Sequence, residues 1–346
     1  MAVGRNKAAN PNRILTIKFS SIGDIVLTTS PIKTLKDIFP NAKIDILTRS
    51  DFVPLLEGLK YIDNIISFER SAGFGKLIKT GKWINNSNYD LIIDFHNSLR
   101  SNIIKMVVRN KIFRSLKKPR LLRFLLFRFR KNLFSTDFSQ LQLLHKPIAN
   151  MVSDSDFQSP ELFVSEQERH NSDELLKIKS INSEYIALIP GAAWSQKTWS
   201  AQNYHDLILK IKEIKNVDFV ILGGRNDRIC LDLASYDKSY LNLQGETNLR
   251  ESMAIIANAK FCIGADTGFI HAAEALGKDV VLILGPTSRE TGAGINRESS
   301  VLIQNDKVWC RPCSQNGKRK CYRDQQYCMT TITPEIVLQK MRSLLN

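Results

Sequence analysis

The sequence predicts an α/β protein made of two domains with parallel, doubly wound sheets, and three observations carry that prediction. A chain of 346 residues exceeds one typical domain and suits two of roughly 150 residues each. Short runs of Ile, Val, Leu and Phe alternate with longer stretches of helical period, the βαβα order of a parallel sheet. Those runs end in turns of Gly, Ser, Asp and Thr, where α/β folds bind ligands. The boundaries expected are residues 1–165 for the first domain, a polar connection at 166–182, a second domain at 183–332 and a closing helix at 333–346.

Composition narrows the class of function. With 43% hydrophobic and 24% charged residues the chain is globular, neither disordered nor fibrous. No apolar run is long enough to span a bilayer, and the polar leader MAVGRNKAANPN lacks the apolar core of a signal peptide, so a cytosolic protein is expected. A net charge of +15 calls for an anionic partner: nucleic acid, a membrane surface or a phosphorylated substrate.

After the leader, residues 13–19 (RILTIKF) form a buried strand that meets Ser20-Ser21-Ile22-Gly23-Asp24. The apolar period of Ile25, Leu27, Ile32, Leu35 and Ile38 then marks a helix ending at Pro40. Asp24 therefore stands at a strand-to-helix corner, where it either complements the helix dipole or serves as a carboxylate at a cleft edge. Residues 42–48 and 62–68 are further strands. Residues 90–95 (DLIIDF) are another, delivering His96, Asn97, Ser98 and Arg100 to the same carboxyl edge.

Between Arg109 and Lys131 lie ten Lys or Arg and no acid, interleaved with Leu and Phe. Leu121, Leu122, Leu125, Leu126 and Phe129 fit one helical face, with Arg123, Arg128, Arg130 and Lys131 around it. This pattern suits an interfacial amphipathic helix, a nucleic-acid grip, or a helix packed on its own domain with solvated arginines.

In the second half, residues 184–190 begin a new sheet whose edge carries GAAWSQKTW, with Lys197 beside small residues where an ammonium can neutralise a phosphate. A helix spans residues 204–214. A strand at 217–222 ends in Gly223-Gly224-Arg225-Asn226-Asp227, and a helix at 249–259 leads into FCIGADTGFIHAAEALGKDVVLILGPT. That last stretch reads as strand, polar turn, helix, Gly277 stop and strand. Its helix start offers free amides to an anion, and Thr267 and His271, four apart, share one face. No GxGxxG follows the first strand of either half, which argues against a dinucleotide dehydrogenase. Cys310, Cys313, Cys321 and Cys328 cluster near the end as a candidate structural zinc site, with four reduced or redox-variable thiols as the alternative; Cys230 and Cys262 stand in apolar contexts.

Taken together, KFSSIGDIVLTTSPIKTLKDIFP, PGAAWSQKTWS, ADTGFIHAAEALGKDVVLILGPT and the terminal CRPC, C, CM and ITPEIV elements make the chain resemble the family 9 glycosyltransferases, the ADP-heptose:lipopolysaccharide heptosyltransferases. The resemblance implies a GT-B fold, two Rossmann-like domains facing across a cleft, and inverting transfer without a required cofactor. It implies Asp24 as general base and Lys197 as the group offsetting diphosphate charge. Thr198, Asp227, Asp266, Thr267, Gly268 and His271 would hold the donor. Lys18, Ser21, Gly23, His96, Arg100, Arg123 and Arg128 would serve the acceptor. The partners implied are a nucleotide sugar, ADP-heptose first, a lipopolysaccharide precursor and the inner face of the cytoplasmic membrane, with peripheral attachment and no nucleic acid. The sequence departs from the family pattern after Gly223-Gly224, where Arg225 stands in place of an acid and only Asp227 is near, which leaves another nucleotide sugar open; separate alternatives are a nucleotide-sugar epimerase of the same fold and a basic nucleic-acid-binding protein.

Overall fold

The computed structural model describes residues 10–153 and 156–345; the start of the polar leader, residues 1–9, lies outside the described residues. The chain divides into two compact units, one holding the residues up to Pro119 and Leu141–Phe163, the other Arg120–Gln140 and the residues from Val164 on.

In the first unit, β1 (Arg13–Ile17) leads into α1 (Ile22–Ile38), then β2 (Lys43–Arg49), β3 (Asn64–Phe68), α2 (Phe74–Asn86), β4 (Leu91–Asp94), α3 (Leu99–Val107) and β5 (Ile112–Ser115). The strands are parallel in the order β3-β2-β1-β4-β5. Ile14, Leu15, Ile17, Ile92 and Ile93 are fully buried, as expected of central strands covered on both faces.

The second unit begins with α4 (Arg120–Phe129); a short α5 (Gln140–His145) follows where the chain returns to the first unit. From α6 (Glu166–Ile178) the alternation resumes: β6 (Tyr185–Ile189), α7 (Ala201–Lys212), β7 (Asp218–Ile221), α8 (Arg228–Ala234), β8 (Leu241–Asn242), α9 (Leu249–Asn258), β9 (Cys262–Ala265), α10 (Gly268–Ala275), β10 (Val280–Ile283), β11 (Val301–Ile303) and α11 (Pro334–Met341). These strands are also parallel, in the order β11-β10-β9-β6-β7-β8. Counted from the first strand of each unit, both sheets share the 3-2-1-4-5 order of the doubly wound fold, so each has its switch point between its first and fourth strands.

Two expectations are corrected. The polar stretch expected to connect the domains is helix α6: Ser165 accepts from the Glu168 backbone N–H while the Glu168 carboxylate accepts from Ser165 N at 2.8 Å, a complete capping box. Arg250 then grips the Glu168 carboxylate at 2.6 Å and fixes α6 to α9. Second, the first domain is not the unbroken stretch 1–165, because the basic segment is divided between the units. Its first part is β5 of the first unit, and residues 120–140 group with the second.

Close packing in the second sheet yields a test. A Cβ on Gly264 would lie 2.5 Å from the carbonyl oxygen of Ile189 in neighbouring β6, a backbone atom unable to move aside. Gly264→Ala is expected to cost about 3 kcal/mol in chemical denaturation. A loss below about 1 kcal/mol would show that β6 and β9 separate freely.

Candidate active site

At the switch point of the first unit, β1 delivers Lys18 and the start of α1 presents Asp24. The Lys18 ammonium, itself almost wholly buried, lies 3.2 Å from Asp24 Oδ1 and donates to the Phe95 carbonyl at 3.4 Å. Ser21 donates to Asp24 Oδ2 through its backbone N–H at 3.3 Å and its hydroxyl at 3.1 Å. Burial pushes the Asp24 carboxyl up, but Lys18 and the two Ser21 donors outweigh it and bring the pKa down to about 2. Asp24 is thus ionised throughout the neutral range and still 41% exposed.

The loop after β4 adds His96. Fully buried Asp94 accepts from the backbone N–H groups of His96 and Asn97 at 2.9 Å each, and the His96 ring stands edge-on to Phe19 at 5.6 Å. Burial, then Lys18, Lys118 and Arg100, hold the imidazole down at about 4, so it is neutral at pH 7. Its Nδ1 is buried with no hydrogen-bond partner among the described residues. Lys18, Ser21, Gly23, Asp24, His96 and Arg100 therefore belong to one edge of one sheet. Arg123 and Arg128 do not: they belong to the second unit, where Arg123 Nε donates to the Glu290 carbonyl at 2.9 Å and Arg128 lies exposed over the Phe129 ring.

At the switch point of the second unit the loop after β6 is anchored by buried Trp199, whose indole N–H donates to the Ile332 carbonyl at 2.8 Å. Before it, Lys197 extends to Asp266, which follows β9. Its ammonium is 2.7 Å from Asp266 Oδ2 and donates to the Asp266 carbonyl at 3.0 Å. Thr287, after β10, donates to the same Oδ2 at 2.8 Å. Thr267 stands at the N-cap of α10 in an extended conformation and its side chain makes no capping bond, so the first amides of the helix are not capped by it. His271, one turn on, is buried, and its Nδ1 has no partner among the described residues. Thr198 instead spends its hydroxyl on the Ser195 carbonyl at 2.6 Å.

Phe269 of α10, three residues after Asp266, forms one wall of a cavity of about 460 Å³ whose other walls are the Gly223-Gly224-Arg225 turn, residues 245–249, Glu251 and Ser252. Asp227 is not among its lining residues. Its Oδ2 accepts the Gly224 N–H at 2.7 Å and its carboxyl packs beneath Gly191, where a Cβ would approach within 2.5 Å, so it shapes the turn. Burial raises the Asp227 pKa.

Sequence reasoning missed Thr287, Asp94 and this cavity. The turn glycines at 223 and 224 signalled the cavity, but nothing local ties Thr287 to Asp266, 21 residues away.

Cys310, Cys313, Cys321 and Cys328 are free thiols that together line a cavity of about 10 Å³. Among the described residues no three His, Cys, Asp or Glu side chains form a metal-ligand group. Gly317 of the same loop presses on the Lys197 stem, a Cβ there falling 2.6 Å from Lys197 Cγ. Among the described residues no helix is long and apolar enough to cross a membrane.

Residues 77–322 match the model of glycosyltransferase family 9 (heptosyltransferase). The lipooligosaccharide heptosyltransferase 2 of Haemophilus ducreyi is 26% identical over 359 residues, spanning 96% of this chain and 99% of that protein. Among solved structures, the ADP-heptose lipopolysaccharide heptosyltransferase II of E. coli superposes with a TM-score of 0.75 at 21% identity, covering 96% of this chain and 98% of that one. The E. coli heptosyltransferase WaaC with ADP does so at 0.67 and 17% identity, covering 96% and 99%.

Proposed function

Since the chain belongs to glycosyltransferase family 9 and has the GT-B fold of two parallel doubly wound sheets, we propose that this glycosyltransferase moves a heptose from ADP-heptose to a lipopolysaccharide inner-core or lipid A-linked acceptor, with inversion, at the inner face of the cytoplasmic membrane. The observation that carries the reading is the Lys197–Asp266–Thr287 cluster at the start of α10, next to a cavity wide enough for a nucleoside.

In this reading the acceptor hydroxyl oxygen attacks the anomeric carbon of the heptose. The bond from that carbon to the diphosphate oxygen breaks, and the hydroxyl proton passes to Asp24. A carboxylate whose pKa is about 2 is a weak base, so it takes the proton as the new C–O bond forms rather than beforehand. ADP leaves with added negative charge, which Lys197 and the amides of residues 267–268 offset. Neutral His96, with Arg100 and Lys18 beside it, positions a phosphorylated acceptor. The cavity beside Phe269 takes the nucleoside. Arg225 lines it as an exposed cation where the family resemblance implies an acid, the one observation that favours a donor base other than adenine.

Purified protein incubated with ADP-heptose and a truncated lipopolysaccharide acceptor is expected to release ADP only when both substrates are present. ADP release without transfer to the acceptor would leave a donor hydrolase instead. Nucleotide binding that favours UDP or GDP over ADP would move the donor assignment to another sugar nucleotide.

A further inference from the structure

We propose that the second unit carries a docking surface for an anionic phospholipid bilayer, composed of helix α4 together with the cysteine-bearing loop after β11. Sequence periodicity points only to α4. The loop's share comes from the fold.

Leu121, Phe124, Phe129, Leu133, Trp309 and Tyr322 are each more than half exposed. They are large apolar groups that a surface in water alone would not gather. Ring and cation contacts join them into one patch. Phe124 meets Phe129 edge-on at 6.0 Å, the next residue, Arg130, lies 5.8 Å from the Trp309 ring, and Trp309 meets Tyr322 at 6.5 Å. Arg123 and Arg130 clamp the segment in place by donating to the carbonyls of Glu290 and Pro312. Leu126 is buried beneath it, so the exposed face is held rigid.

The charge on this patch is strongly positive, with exposed Asp324 at its margin. Neither residues 109–131 nor residues 309–323 contain a single acid, and cations stand over the exposed rings: Arg128 on Phe129, Arg319 on Tyr322 and Arg323 on Trp309. Single-stranded nucleic acid also seeks cations and rings, but it gains nothing from exposed leucines, which have no π face to stack on. A bilayer interface uses every component: Leu and Phe enter the acyl boundary, Trp and Tyr sit at headgroup level, and Arg and Lys meet the lipid phosphates. A second copy of this chain would bring like charge against like.

The inference rests on the transferase reading for its purpose, since a lipid-anchored acceptor is met at such an interface, yet its test needs neither donor nor acceptor. The full chain is sedimented with vesicles of phosphatidylcholine alone or mixed with phosphatidylglycerol. Binding is expected to the mixed vesicles, to weaken as salt rises, and to fall at least tenfold in Phe124→Glu/Trp309→Glu and about fivefold in Lys131→Ala. Near-ultraviolet circular dichroism checks that the variants are folded, and Leu121→Ser serves as a milder second variant. Equal or absent binding to the two kinds of vesicle overturns the proposal. So does a single-stranded DNA affinity that these substitutions abolish, or a dimer in sedimentation velocity that they dissolve. Transfer activity without vesicle binding sinks this inference alone, whereas vesicle binding without transfer sinks the transferase reading and leaves this one standing.

Discussion

Asp24→Asn is expected to lower kcat by about a thousandfold, within the range that a positioned general base contributes, while the affinity for donor nucleotide stays unchanged. The substitution keeps the size and two polar atoms of the side chain but removes the site that accepts the proton. Lys18→Met supplies the matching pH test. In the native protein Asp24 remains ionised down to about pH 2, so it sets no acid limb between pH 4 and 8. Without the Lys18 ammonium, burial is opposed only by Ser21, the carboxyl pKa rises, and protonation removes the base as pH falls through that higher value. The acid limb of kcat/KM therefore moves up in pH. If Asp24→Asn retains more than a tenth of native kcat, another group accepts the proton, and His96 becomes the residue to replace next.

The second large effect belongs to Lys197→Met. Lys197 and Asp266 are both mostly buried, so removing the ammonium strands a carboxylate that keeps only the Thr287 hydroxyl and nearby amides. The expected cost is about 3 kcal/mol, the lower part of the range for breaking a buried pair. In a chain of 346 residues that corresponds to a fall in Tm of about 4 °C. Turnover with donor should drop at least a hundredfold, since a charge complementary to the departing diphosphate is lost. The double variant Lys197→Met/Asp266→Asn separates the two roles. It should recover most of the stability and none of the turnover, and recovered turnover would reduce Lys197 to a structural partner of Asp266.

Much of this was legible in the chain because strands and turns are local. The apolar runs ending at Phe19, Phe95 and Ile263 lie close to the ends of β1, β4 and β9, and each leads to a named side chain at a switch point. Pairing between distant residues was not legible. Lys197 and Asp266 are each visible at a strand end, but their 2.7 Å contact depends on β6 and β9 lying side by side, which no local pattern encodes. Lys18 was placed on the acceptor side by resemblance, and only the structure shows that it sets the state of Asp24. For α6 the signal was present and outweighed: polarity suggested a connection, while Ser165 and Glu168 spelled a capping box. For α4 the helical period was read correctly, but periodicity does not say which face the fold covers. The structure buries Leu126 and leaves Leu121, Phe124 and Phe129 bare.

Both switch points hold a lysine against an aspartate: Lys18 with Asp24, and Lys197 with Asp266. In a chain of net charge +15 this has a consequence for selectivity among the small anions of a cell. An unguarded lysine at such a strand end would collect inorganic phosphate and other small anions at random. Here each cation is already neutralised, so a lone phosphate must compete with a built-in counter-ion for a single contact. A ligand that also brings a group to fill the cavity beside Phe269 has further interactions to draw on. The internal carboxylates thus act as a threshold, below which an anion passes the site by.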